Sequence, residues 1–470
     1  MLTDDPIARR RLASVVAAMM LFFGVLFVYV TPPYQGPDET AHFARVAMIA
    51  GGDLLPGSKD GVKGIALPDS LLRFEKRHAA IQSDLDAKYD YKRLVGEMRA
   101  GASLRPKTFT TFVTQSTSPL MYAPSLLGVA AGSLLSAASF AEPDAVNWAT
   151  MFYFARLGNL FALAIAVAAA LVLLPRFHAA LAFVALMPMT MFLSASVQYD
   201  SMSLIACLGL FVVVVRGTIR KGPLSRRELA LLAVSAFFLG HGKIVYLPLL
   251  LALVPVALAS PRRDGLLAFG VAAGAALLGL AGGLLFPLLS GAPSDLVDQQ
   301  VAFLLADLAN IPGLVWRTLA EMHGYYFRTL FGHFGWLDTA VPPSLLVLTW
   351  GVLLLALVND SRGPVRRVSA ATRIAIAAGI VLSLVAIMLA LYVIWTPTKP
   401  DGVGSPIVIG VQGRYFIPFL PFAMMALSFN LRRIAPKLAA ALPDLLPVQL
   451  ALQAAALAAS LLFLLLRYWI

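Results

Sequence analysis

The run Leu12-Ala13-Ser14-Val15-Val16-Ala17-Ala18-Met19-Met20-Leu21-Phe22-Phe23-Gly24-Val25-Leu26-Phe27-Val28-Tyr29-Val30 decides the fold. A membrane-spanning helix needs about 20 mostly apolar residues, with a range of roughly 17 to 25, and this run meets that length. Arg9-Arg10-Arg11 precede it and Thr31-Pro32-Pro33 follow it. No small-residue cleavage site follows, so the run reads as a retained first helix and not as a signal peptide. Basic residues are held on the cytoplasmic side. The N-terminus is therefore expected inside and Thr31 outside.

Similar runs begin near Pro119, Ala149, Ala179, Ser203, Leu229, Ile244, Leu266, Val341, Ile374, Tyr415 and Gln449. Of the 470 residues, 59% are hydrophobic and 13% charged, and the mean hydropathy is +0.80. A soluble domain carries about 25% charged residues. This composition excludes a soluble enzyme, a disordered chain and a solvated repeat solenoid. The fold class is an all-α polytopic integral membrane protein with 10–12 transmembrane helices in one domain, residues 1–470. Residues 31–118 form a long first extracytoplasmic loop carrying juxtamembrane helices, and 290–340 form a second extracytoplasmic segment. The single cysteine, Cys207, excludes an intramolecular disulfide framework and a multi-cysteine metal site. The net charge of +12 sits largely in short loops (Arg216–Arg227, Arg262 and Arg263, Arg362–Arg373, Arg432–Lys437), where it sets orientation. No nucleic-acid partner is implied.

Orientation imposes a parity condition. Arg9–Arg11 and Arg216–Arg227 both belong inside, so an even number of crossings separates them. Five apolar runs lie between. One of them, either Pro119–Ala138 or Ala179–Ser196, is therefore expected to be re-entrant or to lie along the surface. Both solutions leave Asp200 outside.

The polar chemistry gathers on that outer face. After the first helix comes Gly36-Pro37-Asp38-Glu39-Thr40-Ala41-His42-Phe43. Proline fits the first position of a helix and acidic residues its first turn, and Gly51-Gly52 supplies a stop. Asp38 and His42 are i, i+4 neighbours, and Glu39 and His42 are i, i+3 neighbours. Two carboxylates and an imidazole thus cluster at the outer end of the first span. The plainer alternative is that Asp38 and Glu39 only favour the helix start. Three mixed ligands without a recognised spacing do not make a metal site.

Three further segments contribute. Lys243, between two apolar runs, opposes the inside bias and is a candidate anion contact; the alternative is a snorkelling lysine. Arg414, with Tyr415 beside it, suits bidentate bonding to phosphate oxygens; the alternative is an interfacial anchor. Asp200 closes the small polar patch Ser194–Ser201 and alternatively caps the helix that follows. A transporter buries such groups near the midplane in repeat-related broken helices, and no internal repeat is visible. Clustering at one interface suits a reaction between a lipid-borne phosphate and an extracytoplasmic substrate.

Pro37-Asp38-Glu39-x-x-His42-Phe43, Leu186-Met187-Pro188-Met189 followed by Ser194–Ser201, Gly242-Lys243 before Tyr246-x-Pro248, and Gly413-Arg414-Tyr415-x-x-Pro418 resemble, in this order, the bacterial membrane-protein family called domain of unknown function 2142. The resemblance covers about Val16 to Asn430. That family is similar to the GT-C glycosyltransferases, including protein mannosyltransferases and aminoarabinose transferases. The resemblance implies a GT-C-like bundle in a bacterial inner membrane, with its active site on the extracytoplasmic face. It also implies a polyprenyl-phosphate sugar donor, a glycan or glycolipid acceptor, and the membrane lipid as surroundings. By resemblance Asp38 matches the catalytic base, with Glu39 beside it. His42 and Asp200 would orient the base or hold the acceptor, and Lys243, Arg414 and Tyr415 would serve the donor phosphate. No large soluble domain follows the last span, which speaks against a peptide acceptor. No Asp-x-Asp pattern precedes Asp84-x-Asp86 in the first loop, so no cofactor is assigned and a divalent metal stays an open, unsupported alternative. The expected function is an inverting glycosyltransferase. The alternatives are a lipid-linked saccharide flippase or transporter, with Arg156 as a mid-helix charge in its path, and an O-antigen ligase or polymerase.

Overall fold

The computed structural model describes residues 5–99, 101–137, 145–290, 295–362 and 368–470. Arg366 and Arg367 of the basic segment, residues 291–294 of the second outer segment, and Ala138 lie outside these. The first helix is Pro6–Val30; the Asp5 side chain accepts from the Ile7 N–H at its start, and the Thr31 N–H closes its end on Phe27 O. Proline at the first position costs no hydrogen bond because that N–H has no partner within the helix.

Seven helices among the described residues are long and apolar enough to cross a membrane: Pro6–Val30, Trp148–Leu173, Asp200–Arg220, Arg262–Ser290, Pro343–Ser361, Ala370–Thr398 and Leu446–Tyr468. The chain is an all-α polytopic membrane protein. Further apolar runs pass between the two ends as shorter or broken helices, because proline divides several of them. The Ala179 run is split into His178–Ala185 and Pro188–Ser194. Pro188 holds Met187 extended, at φ −68°, ψ 135°. Ile244–Leu253 and Gly413–Phe419 wind as 3-10 helices around Pro248 and Pro418 before turning α-helical; neither proline can donate to an α ladder.

The parity condition is met by a broken helix. Arg9 donates to Leu174 O at 3.4 Å and Arg216 to Leu173 O at 2.8 Å, so both arginine groups meet at one end of the bundle, the basic end. At the opposite end Trp469 Nε1 donates to Val30 O at 2.7 Å. The broken pair runs from the basic end, where the Ala179 and Ala180 N–H groups meet the Asp360 carboxylate, to the opposite end, where Val197 reaches Glu39. The Pro119 run makes no such passage. It begins beside His42 and packs on the first half of the Trp148 helix, so closely that a Cβ on Gly128 would meet Phe154 O at 2.0 Å and one on Gly158 would meet Pro124 O at 2.1 Å. Pro6–Val30, Trp148–Leu173, the broken pair and Asp200–Arg220 therefore make four passes, an even number.

The first loop folds over the end opposite the basic one. Strands Gly57–Lys59, Val62–Pro68 and Lys107–Thr110 form an antiparallel sheet in that order, with Ile65 opposite Thr110. The buried His78 on the helix Asp69–Ala79 bonds Glu97 and Tyr89, and its carbonyl accepts from Gln35 Nε2 at 2.8 Å. Lys88 donates to Leu466 O at 2.8 Å. The loop is thus tied both to the turn after the first helix and to the end of the last one.

Candidate functional site

The turn Thr31–Asp38 delivers two adjacent carboxylates to different places. Asp38 sits in the left-handed region at φ 61°, ψ 10°, and its side chain makes no capping bond to the following helix, Glu39–Ala50. Aspartate is one of the few residues besides glycine that visits this conformation. The helix-start alternative therefore does not describe Asp38. Its side chain is 51% exposed, and Oδ2 accepts from Arg414 Nη2 at 2.8 Å.

Glu39 turns the other way. It is fully buried, and Arg156 grips it with Nε on Oε1 at 2.9 Å and Nη2 on Oε2 at 2.6 Å. The Val197 N–H donates to Oε1 and the Gly36 N–H to Oε2, each at 2.8 Å. A Cβ on Gly36 would come within 2.7 Å of both the Glu39 carboxyl carbon and Ser196 Oγ, so the turn closes only with glycine. Glu39, expected beside Asp38 as a catalytic carboxylate, is thus placed apart from it, with no exposure and both oxygens engaged in holding the turn. Arg156 spends its remaining donors on Val28 O, Thr31 O and Pro32 O at 2.9, 2.5 and 2.9 Å.

Lys243 and Asp200 form a second ion pair, with side chains 17% and 22% exposed. Tyr199 is the residue that precedes the helix beginning at Asp200, and the Asp200 carboxylate faces Lys243. The Lys243 ammonium lies over the rings of Tyr199 and Tyr415, 5.2 and 4.9 Å from their centres, and the Arg414 guanidinium lies 5.3 Å from the Tyr415 ring. Cation–π contacts strengthen when desolvated, and Tyr415 joins the two cations. Neither cation fits its plainer alternative: Lys243 is paired, and the Arg414 side chain is only 3% exposed.

Two atoms of Arg414, Nε and Nη1, are buried without a hydrogen-bond partner among the described residues. Arg414 lines a cavity of about 30 Å³ with Thr190, Ser194, Asp200, Ser203 and Tyr246, and the Thr190 and Ser203 hydroxyls are likewise unpartnered. An unmade bond from a buried charged donor costs more than about 1–3 kcal/mol.

Desolvation pushes the Asp38 carboxyl up, but the Arg414 charge and hydrogen bond outweigh it and hold it below the usual carboxylate range. Burial pulls His42 down to about 4 against the opposing charges of Asp38 and Asp200. His42 is therefore neutral near pH 7, with Nδ1 2.7 Å from the Tyr122 hydroxyl and its ring edge-on to Tyr199. Burial lowers Lys243, yet the Asp200 charge prevails and leaves it raised above the ordinary lysine value. No group of three His, Cys, Asp or Glu among the described residues is placed to hold a metal ion.

Asp38, His42, Asp200, Lys243, Arg414 and Tyr415 thus converge from distant parts of the chain. Sequence reasoning missed the pairing of Arg156 with Glu39 and the roles of Tyr122 and Tyr199. A lone arginine inside an apolar run was the available signal for the first; the tyrosines gave none.

The fold and this site define a multi-pass α-helical membrane protein with a charged cleft at one end of its bundle. A family model described as Predicted membrane protein (DUF2142) matches residues 21–423. The chain belongs to that family. No curated protein and no solved structure matches it.

Proposed function

We propose that the protein is an inverting glycosyltransferase at the outer face of a bacterial inner membrane, moving a sugar from a polyprenyl-phosphate donor to a cell-envelope glycan or glycolipid. The observation that carries this reading is the pair of free, buried Arg414 donors beside Lys243, with Asp38 on the other arm of the same guanidinium. A donor phosphate oxygen accepts from Arg414 Nε and Nη1, and Lys243 adds a second positive charge. Asp38 takes the proton of an acceptor hydroxyl as that oxygen bonds to the anomeric carbon. The bond from that carbon to the phosphate oxygen breaks with its electron pair, and polyprenyl phosphate leaves from the opposite side. Arg414 and Lys243 stabilise the charge growing on the phosphate, commonly the larger share of such catalysis. Phosphate drawing on Arg414 also weakens its hold on Asp38, which makes the carboxylate a better base when donor is bound. Arg156, the mid-helix charge that a transporter path would use, is wholly engaged by Glu39 and backbone carbonyls.

Purified protein incubated with a radiolabelled polyprenyl-phosphate sugar and envelope glycan is expected to release polyprenyl phosphate; absence of release with every sugar tried sinks the reading. Lys243→Met and Arg414→Gln are each expected to weaken a phosphate-bearing donor analogue by about 1.5–3 kcal/mol. Their combined loss should depart from the sum, whereas independent sites add within about 0.5 kcal/mol. Unchanged affinity in both variants removes the phosphate role. Ser103 is exposed and Cys207 buried. Ser103→Cys in a Cys207→Ala background should react with an impermeant thiol reagent in intact spheroplasts. Labelling only after lysis puts the cleft in the cytoplasm and ends the mechanism.

A further inference from the structure

A further cavity, of about 230 Å³, opens between the helix Asp295–Ala306, the start of the helix Ile311–Phe331, and the segment 404–406. It lies at the same end of the bundle as the charged cleft. The segment 404–406 leads directly to Gly413 and Arg414, and the Gly413 N–H donates to Thr329 Oγ1 at 2.7 Å.

Its lining combines an aromatic face with mixed polar groups. Phe303 is 47% exposed, and Tyr392 also lines the cavity. Tyr392 is held by a hydrogen bond of 2.9 Å to Ser405 O. Asp307 has no side-chain partner among the described residues. Arg317 donates through Nε to Pro406 O at 3.2 Å and, more loosely, through Nη2 to Asn310 Oδ1 at 3.4 Å.

This chemistry selects one class of ligand. Asp307 repels a phosphate or carboxylate, and Arg317 repels a cation. A carboxylate, a carboxamide and a guanidinium together offer donors and acceptors to groups that are both, which describes vicinal hydroxyls. A pyranose ring adds apolar C–H faces that stack on Phe303. We infer that this cavity is a saccharide subsite for a distal unit of an oligosaccharide acceptor, an assignment that rests on the glycosyltransferase reading above. Arg317 stands about 18 Å along its helix from Thr329, where the helix meets Gly413. A single sugar does not cover that length of helix, and a chain of several does.

The test uses full-length protein in lipid nanodiscs, screened on an array of defined glycans from single sugars to hexasaccharides, with anionic phospholipid vesicles and peptides as competing classes. An oligosaccharide of about three or more units is expected to bind, and its component single sugars are not. Asp307→Asn and Phe303→Ala should each weaken it about tenfold, the loss of one hydrogen bond to a charged group or of one stacking face. Both residues are exposed, so melting temperature should be unchanged. Retention of no glycan, equal retention of single sugars, capture of the vesicles or peptides alone, or undiminished binding in both variants overturns the subsite. If glycan binding behaves as expected while the transfer assay stays silent, the transferase reading fails and the cavity remains a saccharide site.

Discussion

Asp38→Asn is expected to lower turnover by about 10²–10⁴-fold, the usual contribution of a positioned general base. The amide keeps the size of the side chain and cannot take the acceptor proton. Donor-analogue binding should be retained or tightened, because Arg414 loses its competing counter-ion. The pH profile gives an independent check. A base must be unprotonated, and Arg414 holds Asp38 below the usual carboxylate range. Its working form is therefore fully present above that range and is lost only as pH falls through the lowered value. Turnover should be flat from about pH 5 to pH 8, with no step from His42, which titrates at about 4. In Arg414→Gln the desolvation remains while the opposing charge is gone, so the acid limb should move upward. Near-normal turnover in Asp38→Asn, or a wild-type limb at histidine-like pH, removes Asp38 from the role.

Arg156→Met should be the most destabilising single change at the site, at about 3–5 kcal/mol, the range for stripping one partner from a buried ion pair. It would leave the Glu39 charge buried without a cation, and the carbonyls of Val28, Thr31 and Pro32 would lose their donor. Thermal unfolding in detergent reads the loss. Adding Glu39→Gln should recover part of it, since removing both charges leaves none uncompensated. A melting temperature equal to wild type in Arg156→Met would mean that this pair does not hold the turn. The contrast with Asp38→Asn matters, because that variant should melt close to wild type while losing turnover.

Much of the first-helix region was legible in sequence because its signals are local. The Leu12–Val30 run and Gly51-Gly52 mark structures found at Pro6–Val30 and Glu39–Ala50, whereas Pro37, read as the first helical residue, lies two residues before Glu39. Asp38, Asp200, Lys243 and Arg414 were each visible as polar residues at the end of an apolar run. Which of them meet was not legible, since the contact of Asp38 with Arg414 depends on how the helices pack. The separate fates of Asp38 and Glu39 escaped for a related reason: helical spacing places both near His42, and only the left-handed turn at Asp38 with Arg156 behind it sends them apart. The broken and 3-10 segments were not legible, because hydropathy registers an apolar run without registering where Met187–Pro188 or Pro248 interrupts it.

The 3-10 winding of the segments behind Lys243 and Arg414 changes what length means in this chain. A 3-10 helix rises about 2.0 Å per residue, against 1.5 Å for an α-helix. Ile244–Leu253 and the α-helical Val254–Leu258 together reach about 28 Å, and Gly413–Leu427 about 26 Å. The hydrocarbon layer is about 30 Å thick. Each segment thus covers nearly the full thickness of a bilayer with fewer residues than an α-helix needs. The Ile244 segment also matches the span of its neighbour Arg226–His241, about 24 Å. A yardstick of 20 residues, fair for an α-helix, understates the reach of the two segments of this bundle that deliver cations to the cleft.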